Sequence, residues 1–290
     1  MSGKRWMRVL AQSPSPEHTD LLVEGLIAYG AGAAEQQGST VITYVADVDD
    51  PERTVAEIQA FLHPFTEADV SLSWDWLEDE DWTREWRRGL GARRVGDHFI
   101  ITPTWVDANA DADDIVITID PKMAFGTGEH ATTRGMLRLM EHRINQGDIV
   151  LDVGAGSAIL AIAAAKLGAV RADAVESDPD AIENAQENID RNDVSKQVVL
   201  SCELVNVPFL QVRSDHYDVI VANVLSGVLK PLLTAFAHSL RPHGLLLLSG
   251  ILRDEADEMI AAAAAAGFDV VAEDREEEWW SCLCRQCGQS

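Results

Sequence analysis

The stretch Val150-Leu151-Asp152-Val153-Gly154-Ala155-Gly156-Ser157-Ala158-Ile159 constrains this chain more than any other segment. Apolar residues run directly into a Gly-x-Gly turn and out into an alanine-rich segment, the pattern of a strand, a tight loop and a helix. Glycine bends the backbone through conformations closed to other residues and lets a ligand approach the main chain without meeting a Cβ. The turn therefore predicts a nucleotide-like cofactor resting on Gly154 and Gly156.

The flanking residues decide between cofactors. A dinucleotide site wants Gly-x-Gly-x-x-Gly or Ala and a helix N-terminus aimed at a pyrophosphate. Here the sixth position is Ile159, and Asp152 sets a negative charge just before the turn. An acid, one spacer and Gly-x-Gly resembles the pattern of S-adenosylmethionine (SAM) methyltransferases, whose cofactor is cationic and carries no phosphate. Ala172-Asp173-Ala174-Val175-Glu176 reads as the next strand, and Glu176 at its end can accept hydrogen bonds from both hydroxyls of a ribose. Asp178 and Pro179 then form a good N-cap and first helical residue, completing a βαβ unit.

With 290 residues the chain is long enough for two domains. Its net charge of −25 disfavours a nucleic-acid substrate and suits a basic protein partner, a small molecule, or solubility alone. No apolar run follows Lys4 and Arg5 at signal-peptide length, and none reaches transmembrane length, so a cytoplasmic chain without membrane association is expected. Cys202, Cys282, Cys284 and Cys287 fit a reduced compartment, and the last three read as part of a terminal strand, so no metal is expected.

Residues 1–78 follow the order β-α-β-β-α-β, which predicts a small α+β, ferredoxin-like domain. Residues 79–96, with Trp82 and Trp86 at helical spacing and five arginines, read as a helical linker. From 97 to 290 strands and helices alternate and close on a hairpin at 268–273 and 278–285. A seven-stranded, mostly parallel, Rossmann-like sheet with an antiparallel terminal hairpin is expected, with single helices over 225–240 and 253–266. Nothing in the pattern fixes the oligomeric state, and a monomer is compatible with it.

The loop Phe125-Gly126-Thr127-Gly128-Glu129-His130-Ala131-Thr132-Thr133 precedes this core. Together with Asp152 to Ser157, Val221-Ala222-Asn223-Val224-Leu225 and Leu248-Ser249-Gly250-Ile251-Leu252, it resembles the bacterial ribosomal protein L11 methyltransferase family. The resemblance implies a class I SAM-dependent enzyme that methylates lysine side chains and an α-amino group of a basic large-subunit ribosomal protein. It implies an N-terminal domain that recognises the substrate, and cofactor contacts at Thr133, Gly154, Glu176 and Asn223. The chain departs from the family pattern at Glu176 in place of aspartate, Ala158 in place of a third glycine, and Glu129 and Ala131 in place of threonine and proline.

Methyl transfer is an in-line displacement, so the protein supplies orientation, desolvation and a neutral amine rather than a nucleophile. Asn223 ends an apolar strand, where ligands of such sheets bind, and its amide oxygen is a candidate acceptor for the target amine; the competing role is a helix cap for the segment from Leu225. Phe125 and Thr133 belong to a candidate cover over the cofactor, with either adjoining threonine as an alternative N-cap and His130 as a candidate base or structural histidine. Glu276-Glu277-Glu278 reads as a solvated turn or a contact for a basic substrate. Other expectations within reach of the same residues are methylation of another protein or of a small amine, and a non-catalytic SAM-binding, ribosome-associated factor.

Overall fold

The protein is described by a computed structural model, whose described residues are 6–12, 22, 26, 34–37, 40–46, 48, 50–66, 70–77, 91–120 and 128–287. The chain divides into two units, Met1–Leu90 and Gly91–Ser290.

The first unit holds an antiparallel sheet of β1 (Trp6–Gln12), β2 (Ala34–Gln37), β3 (Thr40–Ala46) and β4 (Ser71–Leu77), in the order β2-β3-β1-β4. Met7, Val9 and Ala11 alternate along β1 onto one face, the period-two signature of a strand with one buried side. They pack with the helical residues Leu22 and Leu26 and with Ile58 and Leu62 of helix α1 (Pro51–Thr66). Helix α1 starts where expected, because Pro51 is pre-set for the first turn and Asp50 Oδ1 accepts the Arg53 amide at 3.2 Å.

The second unit opens with a small sheet of β5 (Arg93–Val95), β6 (Phe99–Thr102) and β7 (Ile115–Thr118). The helical linker expected to run to residue 96 is corrected here: Arg93–Val95 is a strand, paired antiparallel with β6. Three residues flanked by Gly91 and Gly96 gain more from that ladder than from helix propensity. Residues 79–90, with Trp82 and Trp86, lie outside the described residues.

Helix α2 (Ala131–Met140) leads into the main sheet, built from β8 (Ile149–Val153), β9 (Arg171–Glu176), β10 (Val198–Cys202), β11 (Tyr217–Asn223), β12 (Leu240–Leu252), β13 (Phe268–Glu276) and β14 (Trp279–Gln286). The strand order is β10-β9-β8-β11-β12-β14-β13, with β8 to β12 parallel and β14 inserted antiparallel between β12 and β13. The expected seven-stranded architecture is therefore present, antiparallel hairpin included. Helices α3 (Ile159–Leu167) and α4 (Pro179–Arg191) are the crossovers of the βαβ unit, and Asp178 Oδ1 caps α4 by accepting the Asp180 amide at 3.0 Å. The cores on the two faces are apolar, one mainly aliphatic and alanine-rich and the other carrying Tyr217, Phe236, Phe268 and Trp280, as a sheet covered on both sides requires.

Three expectations fail for local reasons. The helix expected over 225–240 is broken into α6 (Ser226–Leu229), a 3₁₀ turn at Lys230–Leu232, and α7 (Leu233–Ser239), since Pro231 cannot donate to a continuing helix. A short helix α5 (Val207–Gln211), capped by Asn206, lies in what reads as loop. Strand β12 also extends well before Leu245, because Leu240 still pairs with Tyr217 across an irregular register at Pro242-His243-Gly244. The last helix, α8 (Ala256–Ala265), follows a 3₁₀ turn at Arg253–Glu255. Among the described residues, no helix is long and apolar enough to cross a membrane.

Candidate active site

The chain leaves β8 to one side for β9 and returns on the other for β11, so the carboxyl ends of these strands open a crevice at a topological switch point. In open α/β sheets that is where ligands bind. Gly154 and Gly156 follow β8, Glu176 ends β9 and Asn223 ends β11, so four of the sequence-derived site residues meet at this edge.

The glycine turn is tightly satisfied from within. Gly154 and Gly156 have φ of +69° and +52°, and a Cβ on Gly154 would sit 2.7 Å from Val224 Cγ1. The Gly154 and Ala155 amides donate to Val175 O at 2.9 and 3.1 Å, and Ala158 N donates to Ala155 O at 2.8 Å. The Gly156 amide donates to Glu176 Oε2 at 2.8 Å. Ala158, where a third glycine is usual, keeps a left-handed conformation (φ +65°) and is fully buried.

Asp152 lies beneath the turn rather than beside a ligand. It is buried, and its Oδ2 accepts the Ala161 amide at the start of α3 at 3.0 Å. Its Oδ1 is buried without a hydrogen-bond partner. Burial pushes its carboxyl up to about 7, against the Ala161 bond and with some help from the Glu176 charge. A loop whose amides are committed internally, with a carboxyl at the following helix start, offers no cradle for a diphosphate. The donor set fits a phosphate-free cofactor such as SAM.

Glu176 is not a merely solvated acid. Besides the Gly156 bond, its Oε1 accepts the Ser177 and Asp178 amides at 2.7 and 2.8 Å. The Glu203 amide, just past β10, donates to the Glu176 carbonyl at 2.9 Å, bringing the exposed Leu204 to the same edge, a neighbour that an isolated Glu-Leu pair after a strand does not announce.

Asn223 does not cap α6, whose N-cap is Leu225 without a side-chain bond. Instead its Nδ2 donates to Thr133 Oγ1 at 3.5 Å, and its Oδ1 is buried without a partner. Thr133 is fully buried in the first turn of α2. The cap of α2 is neither threonine but His130, whose Nδ1 accepts the Thr132 amide at 3.4 Å while the ring packs edge-on against Trp279 at 5.0 Å. Phe125 lies outside the described residues.

The acidic run near the terminal hairpin is largely spoken for. Glu276 pairs with Arg134 and Arg138 of α2, and Asp274 with Arg138, so this end of the hairpin is tied to the helix that carries Thr133. Those bonds hold the Glu276 carboxyl below the usual range, Arg134 contributing most. The buried Cys282 and Cys284 thiols lie 3.7 Å apart on β14 and Cys287 is exposed; among the described residues the one group with metal-ligand spacing is Asp97, Glu141 and His142.

Sequence reasoning missed a ladder on α4. Asn184, Asn188 and Asn192 recur at i, i+4 and i+8 on one face. Asn192 brackets Thr118 through both backbone groups at 2.9 and 2.7 Å, Asn188 accepts from Asp120 N at 3.3 Å and donates to Ser157 O at 3.2 Å, and Asn184 donates to Asp120 O at 3.3 Å. The ladder fixes the chain just before residue 121 against the glycine turn. The repeat of asparagine at helical spacing was the available signal.

Comparison with known proteins agrees with this geometry. The family model described as Ribosomal protein L11 methyltransferase (PrmA) matches residues 10–286. The chain belongs to the ribosomal protein L11 methyltransferase family. It is 33% identical to a ribosomal protein L11 methyltransferase of Geobacter metallireducens, covering 99% of both chains, and 35% identical to that of Geobacter sulfurreducens, covering 97% of both. The crystal structure of a ribosomal protein L11 methylase from Lactobacillus delbrueckii subsp. bulgaricus superposes with a TM-score of 0.60 at 28% identity, over 68% of this chain and 99% of that one. Members of this family are SAM-dependent protein methyltransferases.

Proposed function

We propose that the protein transfers methyl groups from SAM to amines of ribosomal protein L11, at lysine side chains and the α-amino group. The carrying observation is Asn223: a strand-end amide held by Thr133 whose oxygen is buried and has no partner. A buried acceptor left unsatisfied costs stability, about 1–3 kcal/mol, and is retained where a ligand supplies the donor. In this role Asn223 Oδ1 accepts a hydrogen of the incoming amine and aligns its lone pair.

When bound, SAM supplies a methyl group already activated by its sulfonium. Glu176 would hold the ribose hydroxyls, Gly154 and Gly156 would let the cofactor lie against the main chain, and Thr133 would contact it. The target amine must arrive neutral, and its desolvation on docking against the buried Asn223 oxygen disfavours the charged form. The proton leaves to solvent.

A net charge of −25 complements a basic ribosomal protein. In this proposal the N-terminal domain selects that protein, the unit from Gly91 onward catalyses, and the enzyme works in the cytoplasm. Incubation with labelled SAM and unmethylated large-subunit ribosomal proteins, followed by mass analysis, is expected to place label on one small basic protein. Label only in RNA, only in a free small amine, or nowhere despite SAM binding contradicts it.

A further inference from the structure

The second unit carries a cleft of about 430 Å³ at the edge of the main sheet opposite the active site. It is lined where β11 and β12 begin and where the antiparallel β14 ends, by Arg143, Asp148, Asp218, Arg241, His243 and Arg285 among others. Arginine clusters there are unexpected in a chain with 23 basic and 48 acidic residues. Nearly every described guanidinium has found a partner: Arg134 and Arg138 on the hairpin acids, Arg171 on Asp173, Arg191 on Asp120 and Glu187, Arg275 on Glu273.

Among the described residues, Arg143, Arg253 and Arg285 alone have guanidiniums without an ion pair, hydrogen bond or ring contact, and two of these three line this one cleft. Arg241 is anchored between them, its Nη1 2.7 Å from Asp218 Oδ2, which also accepts the Ile149 amide at 2.8 Å. Asp148 is likewise engaged, accepting the Asn145 amide at 2.7 Å. His243 adds a ring from a left-handed backbone position (φ +68°), a strained conformation that the Pro242-His243-Gly244 bulge imposes. The lining thus sets three guanidiniums and a histidine against two carboxylates, each engaged through its Oδ2, Asp218 by Arg241 and the Ile149 amide and Asp148 by the Asn145 amide.

We propose that this cleft binds a small diphosphate-bearing anion, with Arg143 and Arg285 as its forks and Arg241 as the fixed wall. Guanidiniums match phosphate oxygens two at a time, which a point charge cannot do. The cleft is the size of a small-molecule pocket, and the surrounding negative charge repels a long polyanion such as RNA while leaving a compact one to be caught locally. Parallel strands of about 3.3 Å per residue separate it from Asn223 by roughly 15 Å, so it is distinct from the active site.

Calorimetry of the full chain with inorganic pyrophosphate tests the site. The expected result is saturable binding that weakens at least about tenfold in an Arg143→Gln, Arg285→Gln double variant, with SAM affinity unchanged. An Arg143→Lys, Arg285→Lys variant, which keeps the charge but loses the forks, is expected to fall between the two and guards against a folding defect in the first. Equal pyrophosphate binding by wild type and both double variants overturns the proposal. So does the absence of binding to wild type, equal binding of citrate, or binding of a short RNA in preference to pyrophosphate.

Discussion

Glu176 Oε2 and the Gly156 amide meet at 2.8 Å, so the acid that ends β9 also closes the glycine turn that follows β8. The longer glutamate arm makes this possible while its other oxygen holds the Ser177 and Asp178 amides. Glu176→Ala frees three amides and removes the proposed ribose acceptor. With charged hydrogen bonds worth about 1.5–3 kcal/mol, SAM affinity measured by calorimetry is expected to fall roughly 10- to 100-fold. Glu176→Asp keeps a carboxylate at the strand end and is expected to lose far less. Wild-type affinity in the alanine variant would show that the ribose lies elsewhere.

Substitution of Asn223 is expected to separate binding from chemistry. Asn223→Ala removes the unpartnered Oδ1 that is proposed to align the amine, together with the 3.5 Å bond to Thr133. Turnover on the ribosomal protein is expected to drop about 100-fold, with a much smaller change in SAM affinity. Losses of equal size in both would make Asn223 a cofactor contact alone.

The sheet, its antiparallel hairpin and the glycine turn were legible because they rest on short-range rules: apolar runs, alternation and glycine at positive φ. Glu176 and Asn223 were legible because strand ends are where such sheets present side chains. What escaped depends on contacts made far along the chain. The helical periodicity of α4 marks an apolar face of Ile182, Ala185 and Ile189, and nothing local says that the asparagines on the adjoining face clamp residues 118–120. Likewise Asp152 was legible as a charge near the turn, but not as a buried group bonded to Ala161.

The asparagine ladder yields its own expectation. Asn188 is fully buried and joins Asp120 N to Ser157 O, two segments that flank the site. Asn188→Ala strands both groups in the interior, and a loss of about 2–4 kcal/mol is expected in urea unfolding. Asn188→Asp keeps the acceptor for Asp120 N and for Arg191 Nη1, 2.8 Å away, and loses only the donor to Ser157 O, so it is expected to cost less than alanine. A neutral alanine variant would mean that solvent reaches this junction.

Asp152 makes stability depend on pH in the direction opposite to a salt-bridged acid. Its folded-state carboxyl titrates at about 7, raised first by burial, whereas an unfolded aspartate titrates near ~4. Between those values the folded chain binds more protons than the unfolded one, so this group's contribution is fully present below about pH 4 and is lost as pH rises through 7. Asp152→Asn cannot ionise and carries no such slope, while the groups other than Glu176, whose charge acts on Asp152, titrate alike in both proteins. The stability of wild type relative to the variant, from urea unfolding at several pH values, is therefore expected to decline between about pH 4 and 7, by at most ~1.4 kcal/mol per pH unit, and to level off above. Parallel stability curves for the two proteins would place the Asp152 carboxylate in contact with solvent or a cation, contrary to its burial beneath the glycine turn.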